Sequence, residues 1–175
     1  MSRPELSGPP AGMGESDAEL LSAALDLLRS VYRAGRHEVA TAFRMSDGAI
    51  LTGVHVDGTA RRSTVCAEGV ASGAAIAHAA GRDVGVVALV SVLRRPAGTE
   101  HLIDPCGVCA ELLTDYWPDA RVWVTEGDDA RAVPVRDLVP FKKVRESCSR
   151  THRSRERSTA AMLTCRRRRA CGGSR

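Results

Sequence analysis

Two short stretches, VCAEGVASG at residues 65–73 and DPCGVCAELL at residues 104–113, decide how the rest of this sequence is interpreted. Each contains a cysteine that begins a predicted helix. Glu68 follows Cys66 by two residues, and Cys109 follows Cys106 by three. Three thiolates can occupy three corners of a tetrahedral zinc site, whereas a purely structural zinc would normally have a fourth protein ligand. The spacing therefore predicts a Zn²⁺ site with one position open to water.

Glu68 is the predicted proton carrier of this site. A zinc ion makes bound water acidic, and a carboxylate close to a ligand can take its proton and pass protons to a ring nitrogen and a leaving amine. Buried thiols or a structural zinc are the simpler interpretation of the cysteines. A first-turn acid favoured by the helix dipole is the simpler interpretation of Glu68. The two matched halves together favour catalysis, and the helix starts are predicted to lower the pKa of the thiols.

Outward from these motifs, the sequence alternates between helical and strand patterns. Apolar residues at helical spacing predict helices, and short apolar runs bounded by turn residues predict strands. Ser46, Asp47 and Gly48 provide the turn chemistry of an antiparallel hairpin. The predicted order is a helix from Ser16 or Asp17 to Gly35, strands at 37–45 and 49–56, a helix at 66–80, a strand at 83–93, a loop at 94–105, a helix at 106–117, a strand at 120–126, and a short strand or turn with one helical turn within 133–141.

Composition favours a single α/β domain at residues 16–141, between a flexible leader at 1–15 and a basic, disordered tail at 142–175. The chain has 175 residues, of which 43% are hydrophobic and 3% aromatic. That length and apolar content are enough for one packed core. The tail carries a net charge of +10 within a chain of net +4, so residues 1–141 carry −6. A nucleic-acid partner is therefore predicted only as a weak contact of the tail, which has no Phe or Tyr to stack on bases.

The sequence predicts a cytoplasmic protein without a membrane partner. The N-terminal residues contain no apolar signal region, and no stretch approaches the roughly 20 apolar residues of a membrane span. The chain has six cysteines. In this context they are interpreted as thiols or metal ligands and not as a disulfide framework.

Four stretches carry a resemblance to a known family: TGVHV, VCAEGVASG, DPCGVCAELL and VPVRDLVP. Over residues 17–141 the chain resembles the cytidine deaminases, whose zinc signature has a His or Cys, a nearby non-ligand Glu and then P-C-x-x-C. Within that family it is most similar to the blasticidin-S deaminases. The resemblance implies a three-layer α/β/α fold with a mixed five-stranded sheet, and a homotetramer with sites near the subunit interfaces.

The same resemblance implies hydrolysis of the 4-amino group of cytidine or deoxycytidine, giving the uracil product and ammonia. Two alternatives remain open. One is deamination of a modified cytosine nucleoside such as blasticidin S. The other is a catalytically inactive, zinc-stabilised module whose basic tail binds RNA.

Residues for substrate binding follow from the resemblance. Relatives commonly carry Asn-x-Glu after the second strand to bind the ribose, and His55 and Asp57 stand at those positions. His can donate or accept a hydrogen bond, and Asp can accept one from a hydroxyl. Ala67, between Cys66 and Glu68, is also placed in the substrate pocket. The Phe that packs near the substrate ring in relatives has no counterpart at residues 36–39.

The chain also differs from relatives where they neutralise the metal centre. A zinc ion with three thiolates has a net charge of −1, and relatives usually place an Arg after the glutamate or after the last cysteine. Gly69 and Ala110 occupy these positions. Either the helix dipoles are sufficient or Arg61 or Arg62, in the preceding loop, reaches the site.

Overall fold

A computed structural model of the chain describes residues 5–142, apart from the side chain of Arg61. It consists of three α-helices and one six-stranded sheet, which confirms the predicted α/β class. The helices are α1 (Glu15–Val31), α2 (Ala67–His78) and α3 (Gly107–Tyr116). The strands are β1 (Val39–Met45), β2 (Ile50–Val54), β3 (Val86–Arg94), β4 (Glu100–Ile103), β5 (Arg121–Glu126) and β6 (Asp129–Pro134). A 3-10 turn at Val135–Leu138 follows β6.

The sheet is mixed, with the strand order β2-β1-β3-β5-β6 and with β4 paired to β3 outside this order. β3 and β5 are parallel and are connected through α3, whereas the other pairs are antiparallel. The β1–β2 hairpin forms at the predicted turn. Gly48 adopts φ +88° there, a left-handed conformation that glycine allows without steric cost.

Helices cover both faces of the sheet and make three layers. α1 packs on one face, where Leu20, Ala24 and Leu28 meet side chains that include Ala42 and Val90. The opposite face carries the next residues along the same strands, and Phe43 and Leu89 pack there with Ala71 of α2 and Leu113 of α3. Successive side chains of a strand point to opposite faces, so these apolar strands fill both cores. The predicted α/β/α fold is confirmed.

The loop predicted at residues 94–105 is wrong in part, because Glu100–Ile103 forms β4. A tight turn lets the chain double back after β3: Gly98 N–H donates to Arg95 O and Arg95 N–H donates to Thr99 O, both over 2.9 Å. Gly98 makes this possible with φ +88°. The sheet therefore has one strand more than the five expected.

The ends of the domain differ in what the structure describes. The predicted leader contacts the core over residues 5–14: Leu6 N–H donates to Glu100 O over 2.8 Å, and Leu6 and Met13 pack against the α1 side of the sheet. The predicted disordered tail and its RNA contact lie, from residue 143 onward, outside the described residues, so that boundary stays a prediction. None of the helices in the described part has the length and apolar character required to cross a membrane.

Candidate active site

The starts of α2 and α3 bring the three predicted metal ligands together. Cys66 is the N-cap residue of α2, Cys106 is the N-cap residue of α3, and Cys109 lies in the first turn of α3. The three Sγ atoms all lie within 4.8 Å of one another, and Cys66 Sγ is 3.8 Å from Cys106 Sγ. A tetrahedral zinc with Zn–S bonds of about 2.3 Å needs sulfur atoms roughly 3.8 Å apart. The donor set and its spacing therefore fit a zinc ion.

Glu68 lies beneath this cluster, in the first turn of α2, with only 3% of its surface exposed. Its Oε1 accepts a hydrogen bond of 2.8 Å from the Ser91 hydroxyl on β3. Ser91 Oγ is also 3.0 Å from Thr41 Oγ1, and the Thr41 hydroxyl donates to Val90 O over 2.8 Å. A buried carboxylate is thus held at one oxygen by a chain of hydroxyl groups.

The thiols differ in how readily they ionise without a cation between them. Burial acts to raise the pKa of Cys106, but hydrogen bonds from the backbone N–H groups of Cys109 and Val108 and contacts with the other thiols outweigh it, so this pKa is lowered. Burial, together with the negative charge of Glu68, raises the pKa of Cys109. Burial is also the main cause that raises the pKa of Cys66. The expected lowering at the helix starts is right for Cys106 and wrong for the other two.

In the described part of the chain, no arginine contacts the cysteines to neutralise the negative charge of their thiolates. Arg62 is exposed, and within residues 5–142 it makes no hydrogen bond or ion pair with the cysteines. The side chain of Arg61 lies outside the described residues. The backbone N–H groups at the start of α3 are the positive partners that the structure places against a thiol.

A cavity of about 190 Å³ opens beside the cluster and is lined by Cys66, Ala67, Glu68 and Cys106 together with His55 and Asp104. An engineered cavity of about 150 Å³ is enough to bind benzene, so this one has room for a single pyrimidine ring. Two larger cavities, about 250 and 220 Å³, lie beside the N-terminal segment and contain none of the predicted site residues. Chemistry, and not size, identifies the functional cavity.

The two predicted sugar-binding residues occupy different surroundings. His55 lines the cavity, and its Nδ1 is buried without a hydrogen-bond partner among the described residues. Asp57 does not line the cavity. Its Oδ1 accepts a hydrogen bond of 2.5 Å from Thr64 Oγ1, within a loop closed by the bridge between Val56 and Val65. The structure therefore brings His55, but not Asp57, to the cysteine cluster.

Three residues at the site are missing from the sequence-based set. Ser91 contacts Glu68 directly, and Thr41 contacts Ser91. Asp104 lines the cavity, and its Oδ1 accepts hydrogen bonds from the backbone N–H and the hydroxyl of Thr125 at 2.7 and 3.1 Å. The available signal was a hydroxyl residue inside an otherwise apolar strand, as in VATAF and VALVSVL. Such a residue needs a buried partner, which the local sequence does not identify.

Comparisons with known proteins show which sequences and folds this chain resembles. The chain is 30% identical over 138 residues to a blasticidin-S deaminase of Bacillus cereus, covering 76% of this chain and 96% of that protein. It is 29% identical over 107 residues to a cytidine deaminase of Halalkalibacterium halodurans, covering 60% and 76%. A crystal structure of the cytidine deaminase from Bacillus anthracis superposes with a TM-score of 0.59 at 24% identity, covering 74% and 89%, which supports the fold. No protein-family model matches the sequence.

Proposed function

Because this chain belongs to the cytidine deaminase family, we propose that it is a zinc-dependent enzyme that hydrolyses the 4-amino group of cytidine or deoxycytidine. The reaction consumes one water molecule and releases ammonia, leaving the uracil nucleoside. The observation that carries the proposal is the position of Glu68. Only 3% of its surface is exposed, and it lies beside three cysteines that can hold one metal ion. A carboxylate and a metal at one small cavity are the two requirements of this hydrolysis.

The roles of the metal ligands follow from their surroundings. The zinc ion would be held by Cys66, Cys106 and Cys109. When bound, it would act as a Lewis acid that makes water more acidic. The backbone N–H groups of Val108 and Cys109 partly neutralise the thiolate of Cys106. Helix starts of this kind stabilise negative charge, and they offer a substitute for the absent arginine.

Glu68 would carry protons within the cavity. Its carboxylate would take the two protons of the attacking water in turn, delivering the first to the ring nitrogen N3 and the second to the departing amine. Its confinement between the first turn of α2 and the sheet supports this role, because a positioned group reacts far faster than one that must be located by diffusion.

The cavity wall suggests which residues contact the nucleoside. Ala67 lies between Cys66 and Glu68 and forms part of the wall against which a flat ring can pack. The buried, unpartnered Nδ1 of His55 is suited to a hydrogen bond with the substrate. Asp57 enters the proposal only if the loop that contains Thr64 rearranges, since its Oδ1 already accepts a hydrogen bond there.

A modified cytosine nucleoside such as blasticidin S is a second candidate substrate. It is favoured by the 30% identity to a blasticidin-S deaminase along 96% of that protein. The replacement of Asn-x-Glu by His55 and Asp57 also favours a substrate that differs from a simple riboside. Both candidates require the same metal and the same carboxylate.

The test is an assay of purified protein against cytidine, deoxycytidine and blasticidin S, with ammonia release as the readout and metal analysis of the same sample. We expect about one zinc per chain from the ligand set, and activity that disappears on chelation and returns with Zn²⁺. Comparing kcat/KM among the three substrates decides between the candidates. A zinc-loaded protein inert toward all three contradicts the proposal.

The homotetramer and the cytoplasmic location belong to the same proposal. The tetramer is carried over from the resemblance, and the location from the interpretation of the cysteines as thiols or metal ligands. Sedimentation of the purified protein gives the subunit count, and a monomer that is fully active would contradict the tetramer as a requirement for function.

A further inference from the structure

Ser91 and Thr41 form a cross-strand pair on the sheet face beneath α2. Thr41 of β1 and Ser91 of β3 are directly opposite in the antiparallel register. Their relative exposures are 0% and 1%, and the face around them is otherwise apolar, with Phe43 and Leu89 as the next residues outward on the same strands. Two hydroxyl groups in such surroundings are costly unless each is hydrogen-bonded.

The hydrogen bonds of this pair run in one line from the backbone to Glu68. The Thr41 hydroxyl is fixed because it donates to Val90 O over 2.8 Å. Ser91 Oγ lies between Thr41 Oγ1 at 3.0 Å and Glu68 Oε1 at 2.8 Å. Ser91 has a single hydroxyl proton and can therefore donate to one of these two neighbours at a time. Its oxygen is therefore held by one hydrogen bond at a time and by close contact with the other oxygen atom.

We propose that Ser91, oriented by Thr41, is a positioning residue that fixes the side chain of Glu68 for proton transfer; this inference rests on the proposed function of Glu68. Ser91 engages Oε1, so Oε2 is the oxygen left for water and substrate. A hydroxyl can donate to a carboxylate or accept from a carboxylic acid. The contact therefore persists when the carboxylate takes up a proton and gives it back during turnover.

The expected consequence is a loss of turnover without a loss of substrate binding. Glu68 retains its place on α2 when Ser91 is changed, but its carboxylate is no longer held at one oxygen. Groups that orient the ligands of a metal typically account for roughly 10-fold to 100-fold in activity, and we expect a similar loss for a group that orients the carboxylate beside the metal. KM should remain within about twofold, because an interaction that acts mainly in the transition state is lost.

The test compares four single substitutions in the full-length, zinc-loaded protein. Ser91→Ala removes the contact, and kcat should fall by about 10-fold to 100-fold at unchanged zinc content. Thr41→Val keeps the shape but removes the hydroxyl that orients Ser91, so it should cause a smaller fall of the same kind. Thr41→Ser keeps the hydroxyl, so its kcat should be close to that of the wild type. The comparison of Thr41→Val with Thr41→Ser therefore tests whether the Thr41 hydroxyl is needed to orient Ser91.

Ser72→Ala is the matched control. Ser72 lies on α2, one helical turn after Glu68, and is 2% exposed, but its Oγ has no hydrogen-bond partner among the described residues. Removing this hydroxyl should leave kcat unchanged. A fall in Ser72→Ala equal to that in Ser91→Ala would overturn the proposal, as would wild-type kcat in Ser91→Ala.

A structural readout separates this proposal from the proposed function. If the wild-type protein deaminates none of the nucleosides, the proposed function fails, and crystal structures of the wild type and the variants still decide the positioning role. The wild type and Ser72→Ala should show one conformer of the Glu68 carboxylate, and Ser91→Ala should show several. A single, unchanged conformer in Ser91→Ala overturns the proposal. Should Ser91→Ala fail to fold, Thr41→Val, which preserves side-chain volume, gives the same comparison.

Discussion

Gly53 on β2 lies where the strand passes directly against the first turns of α2. A Cβ atom at this position would lie 2.7 Å from Ala71 N and 3.0 Å from Ala71 Cβ, and nearer still to Ala67 O. Carbon atoms in favourable contact are about 3.5–4.0 Å from their neighbours. The atoms nearest to the added methyl group belong to the backbone and cannot rotate away. In Gly53→Ala, β2 and α2 must therefore separate by something on the order of 0.5–1 Å.

This displacement reaches the site because the first turn of α2 carries both Cys66 and Glu68, whereas Cys106 and Cys109 are carried by α3. Overpacking of this kind costs about 1–3 kcal/mol of unfolding free energy. A misplacement of reacting groups by about 1 Å can cost on the order of 10²-fold in rate. We expect Gly53→Ala to lose about 1–3 kcal/mol of stability and about 10-fold to 100-fold in kcat/KM.

The assay is urea unfolding together with ammonia release, and Gly73→Ala is the control. Gly73 lies on the same helix, but a Cβ there would have no neighbour within 4 Å. Replacing this helical glycine by alanine should raise stability by about 0.5–1 kcal/mol and leave the kinetics unchanged. If Gly53→Ala is as stable and as active as the wild type, the close packing of β2 on α2 does not position the site.

Three further perturbations test separate parts of the structure. In the wild type the buried Trp123 indole N–H donates to Asp17 Oδ2 over 2.9 Å, and Asp17→Ala leaves it without an acceptor. The free energy of unfolding should fall by about 1–3 kcal/mol at unchanged kcat. An unchanged urea midpoint would contradict this. His55→Ala should raise KM more than it lowers kcat, and an unchanged KM would remove His55 from the nucleoside site. The pKa values of Cys66 and Cys109 are raised, so both thiols carry protons at neutral pH without a cation. Zinc binding should therefore release protons, and the zinc affinity should fall by roughly tenfold per displaced proton for each unit by which the pH is lowered. A zinc affinity that does not depend on pH would contradict this.

The elements that carry the metal ligands could be predicted from the sequence because their signals are local. Cys66 and Cys106 each precede a run of helix-forming residues, and the apolar run ending near Leu93 has the composition of a strand covered on both faces. β4 was missed for an equally local reason. Arg95, Pro96 and Gly98 mark a turn, and the four residues Glu100–Ile103 are too few to show an alternating pattern.

The interior of the site could not be predicted, because it depends on strand register. Thr41 and Ser91 are 50 residues apart and meet only because β1 and β3 pair in one particular alignment. A shift of β1 by one residue against β3 would turn the Thr41 side chain to the α1 face, away from Ser91. Asp57 shows the opposite case: its nearest partner, Thr64, is seven residues away in the same loop, and that local hydrogen bond competes with the role expected from the resemblance.

The central claim, that Glu68 moves protons at a zinc-dependent deaminase site, is tested most directly by Glu68→Gln. Glutamine has nearly the same shape but cannot serve as a proton carrier. Glu111→Gln is the control, since Glu111 lies on α3 and pairs with Lys142 outside the cavity. In samples of equal zinc content, ammonia release from the best nucleoside substrate should fall by at least about 10²-fold in Glu68→Gln and remain at the wild-type rate in Glu111→Gln. Wild-type turnover in zinc-loaded Glu68→Gln would contradict the account.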